Sequence, residues 1–206
     1  MLRPLSLPTF AQIHQRRALH NPLSTEYYKD RLEQIMDHGF VDLSVEQADC
    51  LAAYLRGTRV LELGAGLGYL AAALHERGID VTAYDTQEDT YQHLQWSEDK
   101  RFFPVQCVDA LSLSAYDADV VILVWHSYDT PFAYQVAQRL RPGQTLLYLG
   151  EPRSGCTASA DFFDWVESTV KQDAEAEFKL NQFHLPYYGI LDRWWVCPRW
   201  WGSTPI

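Results

Sequence analysis

Residues 59–74 read RVLELGAGLGYLAAAL, and this stretch decides the fold. Residues 59–63 form a short leucine- and valine-rich run, the pattern of a buried strand. Gly64, Gly66 and Gly68 follow, with Ala65 between the first two. From Tyr69 the residues are strong helix formers. The unit is therefore strand, tight glycine turn, helix. Glycines leave no Cβ between backbone and ligand, and the opening helix directs free N–H groups at the turn. Such a turn suits a nucleotide-like cofactor lying against the backbone.

The spacing narrows the cofactor. A dinucleotide fingerprint G-x-G-x-x-G places its third glycine where this chain has Tyr69. Glu62 also stands two residues before Gly64. A carboxylate there opposes a pyrophosphate but suits an ammonium. Glu62, Gly64, Gly66 and Gly68 together resemble the E-x-G-x-G-x-G signature of class I S-adenosylmethionine-dependent methyltransferases. The resemblance implies that the turn cradles the methionine part of S-adenosyl-L-methionine.

Around this unit, strands and helices alternate. Strands are expected at 80–84, 103–108, 119–125 and 144–149, and helices at 88–96, 132–140 and 161–170. The run DVVILVW at 119–125 lacks alternation and reads as a strand buried on both faces. Alternation of this kind predicts a doubly wound, mostly parallel sheet. Two further strands, at 177–185 and 191–196, are expected to close it. That makes seven strands with the last antiparallel, as in the family. Three helices are expected before the first strand: one within 10–19, one capped by Ser24, and one opened by the capping box Ser44 with Gln47. The expected organisation is a helical arm or lid over residues 1–56 and a Rossmann-like domain over 57–206. The acid-poor N-terminus is read as a structural arm rather than a transit peptide.

Asp85, at the end of the second strand and followed by Thr86, is a candidate for the ribose hydroxyls of the cofactor. The resemblance implies that Asp109 accepts from the adenine amino group and that the Ala110 backbone reaches the ring. Trp125, His126 and Glu151 stand at the ends of the fourth and fifth strands. His126 and Glu151 are candidate general bases, and Trp125 a wall for the acceptor or a shield for the sulfonium. Each equally fits a bland role as a loop or helix-flanking residue. A narrower likeness, to small methyltransferases with Trp-Pro-Pro after the fourth strand and a Gly-Glu after the fifth, rests on Trp125, Gly150-Glu151 and Thr157. His126 and Ser127 depart from it where prolines would stand. Tyr27, Tyr28, Tyr187 and Tyr188 are candidate pocket aromatics. Trp194, Trp195, Trp200 and Trp201 are read chiefly as core and lid.

The chain has 206 residues, 47% of them hydrophobic, and a net charge of −10. It carries no basic cluster of the kind that neutralises phosphates, which disfavours nucleic acid. The motifs of amino-methylating and cytosine-C5 DNA enzymes are absent as well. Four scattered cysteines form no C-x-x-C pair and suggest reduced thiols in the cytoplasm without a metal site. No apolar run is long enough to span a bilayer. The expected function is methyl transfer to a small or medium-sized acceptor. The alternatives are a non-catalytic adenosyl-cofactor-binding regulatory or assembly protein, a nicotinamide oxidoreductase, and an RNA methyltransferase.

Overall fold

A computed structural model describes residues 2–86, 98–170 and 173–199. The helix expected at 88–96, and Trp200 and Trp201, lie outside the described residues. Three helices come first: α1 (Phe10–Ala18), α2 (Thr25–His38) and α3 (Val45–Leu55). Each has a hydroxyl cap. The side chains of Thr9, Ser24 and Ser44 accept from the backbone N–H three residues on, pairing one orphan donor of each first turn. Gly39 ends α2 at a φ of 92°, a conformation costly for any residue with a Cβ.

Then follow β1 (Arg59–Leu63), α4 (Tyr69–His75), β2 (Asp80–Asp85), β3 (Val105–Cys107), β4 (Val120–Val124), α5 (Phe132–Arg139), β5 (Thr145–Gly150), α6 (Ala160–Thr169), α7 (Ala174–Asn181) and β6 (Arg193–Pro198). The sheet order is β3-β2-β1-β4-β5-β6. All neighbours are parallel except β5 and β6, which pair antiparallel with Leu147 opposite Val196. The chain winds outward from β1 to β3, then returns to lay β4 on the other side of β1. Ligands in such sheets bind at this reversal, beyond the carboxyl ends of the strands. The glycine turn after β1 and Trp125 after β4 both stand there.

Strand residues alternate between two cores. Val60, Ile122 and Leu147 face α3, α4 and α7, while Leu61, Val121 and Leu146 face α5 and α6. Both faces are covered, which is why DVVILVW carries no polar alternation.

The sheet has six strands among the described residues, not the expected seven. Residues 177–181 are the end of α7, and 182–192 form turns and loop. The physical reason lies in the helix signals. Asp173 accepts from Ala176 N and starts the helix, and Ala176 and Leu180 bury one face while Phe178 is exposed. The place a seventh strand would take beside β6 is filled by side chains of α7. The Asn181 amide donates to Trp194 O and accepts from Trp194 N, and Glu177 accepts from Val196 N.

Candidate functional site

Gly64, Gly66 and Gly68 all have left-handed backbone, with φ of 70°, 54° and 70°. That conformation folds the turn back over the end of β2. There, Gly64 N and Ala65 N donate to Tyr84 O at 2.8 and 3.0 Å. Gly66 N donates to Asp85 Oδ2 at 2.8 Å. Asp85 therefore braces the turn from the end of the neighbouring strand. Gly68 caps α4 without a side chain, and a Cβ there would lie 2.8 Å from Phe103 Cβ. Close packing, as well as φ, requires glycine at this position.

Beside the turn is a partly open cavity. Glu62, Gly64, Ala65 and Gly66 line one side, residues 38–41 the other, and Val124 the sheet end. Glu62 is only 4% exposed, and its Oε2 has no hydrogen-bond partner. Burial pushes its carboxyl up to about 8; the Ala71 N–H pulls the other way and the nearby Asp85 adds to the rise. His38 packs on the Tyr69 ring at 4.5 Å, and burial lowers its pKa.

Asp109 stands two residues beyond β3, exposed, and caps a single 3-10 turn at Ala110–Ser112 by accepting from Leu111 N at 2.8 Å. Ala110 is buried. Thr86 is exposed, and its carbonyl accepts from the Cys107 thiol. Glu62, Asp85 and Asp109 thus belong to the carboxyl ends of three neighbouring strands.

The three residues expected at the acceptor side separate. Trp125 has a left-handed φ of 55°, unusual for a bulky residue. It lines a second cavity and donates from Nε1 to Asp192 Oδ2 at 2.9 Å. His126 lines neither cavity. Its ring packs against Gly64, where a Cβ would lie 2.4 Å from Cε1, and Nε2 bonds Leu63 O at 3.0 Å. Burial lowers its pKa, so it is neutral near pH 7 with Nε2–H as the donor to Leu63. Glu151 lines neither cavity either. Its oxygens accept from Cys156 N at 2.7 Å and Leu191 N at 3.2 Å. Of the two candidate bases, His126 lies against the glycine turn and Glu151 does not; both side chains bond to backbone.

Sequence reasoning expected a helical arm or lid over residues 1–56 but named none of the residues at 38–41 as lining a cavity. Residues 38–41 close the first cavity, and their one local signal was the helix-ending Gly39. The second cavity is walled by Arg17, Arg31, Asp42, His184, Tyr187 and Asp192, among others, drawn from both ends of the chain. Of the four candidate tyrosines, only Tyr187 lines it. Tyr27 is buried against the Tyr187 ring, and Tyr28 and Tyr188 are exposed.

No family model matches the chain. Among curated proteins it is similar to uncharacterized methyltransferases of Mycobacterium bovis and Mycobacterium tuberculosis. Each is 31% identical over 125 residues, covering 51% of this chain and 51% of the relative. The chain is related to methyltransferases. It spans about half the length of the curated methyltransferases it matches. Among solved structures, it is similar to a TehB-like methyltransferase, dependent on S-adenosylmethionine, from Corynebacterium glutamicum. The identity is 17% and the TM-score 0.47, over 87% of this chain and 100% of that one. Among the described residues, no helix is long and apolar enough to cross a membrane, and no three histidine, cysteine or acidic side chains group as metal ligands.

Proposed function

We propose that this chain transfers a methyl group from S-adenosylmethionine to a small or medium-sized acceptor. The observation that carries the reading is Glu62: a buried carboxyl with an unpartnered oxygen, at the edge of a cavity floored by left-handed glycines. An unpaired buried acceptor is costly, and a cationic ligand removes that cost by pairing with it. The methionyl ammonium of the cofactor supplies such a cation. A pyrophosphate does not, which weighs against nicotinamide dinucleotides.

In this reading Glu62, Gly64, Ala65, Gly66 and Gly68 hold the methionine part. Asp85 and Thr86 meet the ribose, and Asp109 and Ala110 the adenine. Bound S-adenosylmethionine supplies an activated methyl carbon whose bond to sulfur breaks with the electron pair left on sulfur. The acceptor's lone pair makes the new bond, and any proton it sheds passes to water. The residues of this chain contribute alignment and exclusion of water, the terms on which an in-line displacement chiefly depends. Residues 38–41 cover the cavity, and Trp125 stands where the acceptor would approach. His126 and Glu151 support the turn and the loop after β5, and no proton transfer is assigned to them.

Titration calorimetry with S-adenosylmethionine, its demethylated product and NAD tests the reading. Both sulfur compounds should bind and NAD should not. Gly66→Val puts a branched residue at a φ of 54°, against the ligand face, and should abolish binding while the variant remains folded. Tight NAD binding, or undiminished binding by folded Gly66→Val, would overturn it.

A further inference from the structure

The second cavity, a partly open cleft, lies between α2, the end of β4 and the loop before β6. It meets the first at Gly39 and Phe40, which line both, and at the step from Val124 to Trp125, one in each. Its walls are rings. Phe40 stacks on Trp125 with centroids 5.8 Å apart and planes 16° from parallel. Trp125 and Tyr187 both lie beneath Arg31, whose guanidinium carbon is 5.5 and 5.9 Å from their centroids. Trp125 keeps its left-handed backbone while its indole N–H is anchored to Asp192. Strain of this sort persists where surroundings over-determine a side chain, and here it goes with a tryptophan that lines the cavity.

Most of the charges inside are already paired, though Asp192 Oδ1 has no hydrogen-bond partner. Asp42 accepts from Arg16 and Arg17 at 2.6 and 2.8 Å. Arg17 also donates to Leu185 O and stacks on Tyr187 at 3.7 Å. Asp192 takes the Trp125 indole N–H and stands 3.2 Å from His184 Nε2. Arg31 is left over: it lines the cavity, and among the described residues no carboxylate comes within ion-pair distance of it. A cavity with aromatic walls and a guanidinium that no carboxylate neutralises suits a flat ring bearing negative charge.

We propose that this cavity is the acceptor site and that the acceptor is an aromatic anion, its ring against Trp125 and Tyr187 and its anionic group on Arg31. The word acceptor rests on the methyl-transfer reading; the ligand class rests on the cavity alone. A guanidinium paired with a carboxylate in a partly dry site favours the charged ligand by about ten-fold or more.

Calorimetry with three probes tests this: para-hydroxybenzoate, its neutral methyl ester, and cyclohexanecarboxylate. The aromatic acid should bind about ten-fold more tightly than either of the others. Arg31→Gln should erase its advantage over the ester, and Arg31→Lys should keep part of it. Trp125→Leu should erase its advantage over the aliphatic acid. Equal binding of acid and ester, a preference that survives Arg31→Gln, or no binding of any probe would overturn the proposal. S-adenosylhomocysteine is titrated in the same samples. Its binding without any aromatic-anion binding sinks this inference alone. The converse result keeps the ligand class and sinks the methyl-transfer reading, and with it the acceptor role.

Discussion

At the scale of single residues, Glu62 ties the cavity beside the glycine turn to pH. Its carboxyl titrates near 8 in the folded chain against 4.5 for a free glutamate, chiefly because it is buried. Between those values the folded chain holds a proton that the unfolded chain has lost. Stability therefore falls as pH rises through that window, by on the order of a few kcal/mol. A cationic ligand favours the ionised form and lowers the pKa. Binding of S-adenosylmethionine at pH 7 should then release about one proton. Binding enthalpies measured in buffers of different ionisation heat will show it. Glu62→Gln should remove the buffer dependence and flatten the fall in stability, whereas a wild type without buffer dependence contradicts the assignment. Glu62 was legible in the sequence because its meaning is local: an acid two residues before a glycine turn. His126 and Glu151 were not. His126 bonds Leu63, 63 residues away, and Glu151 divides its oxygens between Cys156, 5 residues on, and Leu191, 40 residues away, so only the folded chain shows their capacity spent.

At the scale of elements, the doubly wound, mostly parallel sheet followed from the alternation of apolar runs with helix formers. The error came at the sheet's edge. Phe178 and Leu180 alternate like strand residues, but Asp173 sets a helix whose buried positions are Ala176, Glu177 and Leu180. What replaces the missing strand is polar. Asn181 pairs with both backbone groups of Trp194, much as a neighbouring strand would. The Trp194 residue is fully buried, so those groups have no ready access to water when the amide is removed. Asn181→Ala should therefore destabilise the protein by about 2–4 kcal/mol, the cost of leaving buried groups unpaired. The expected sign in urea is a lower midpoint at unchanged slope. A loss no larger than that of an exposed substitution would show that α7 merely lies beside β6 and does not complete it.

At the scale of the whole molecule, the two cavities depend on segments remote from the glycine turn. The sequence suggested a helical arm or lid but not its ties, because these are between single charged residues with no local pattern. Arg16 on α1 meets Asp30 on α2 at 3.3 Å and Asp42 after α2 at 2.6 Å, and it reaches the Tyr187 hydroxyl, 171 residues away. Arg17, its side chain only 6% exposed, meets the same Asp42. Asp42 thus holds two guanidinium groups together just beyond Gly39 and Phe40, which line both cavities. Replacing it with an uncharged side chain leaves Arg17 buried without its counter-ion, a change that costs about 3 kcal/mol in comparable settings. Asp42→Asn should lower stability by that order and loosen the cover. Affinity for S-adenosylmethionine and for an aromatic carboxylate should then fall together. Arg31→Gln, which touches only the second cavity, should weaken the carboxylate and spare the cofactor. If Asp42→Asn leaves both affinities intact in a folded protein, the N-terminal helices are packed on the sheet for stability alone, and residues 38–41 hold their place without them.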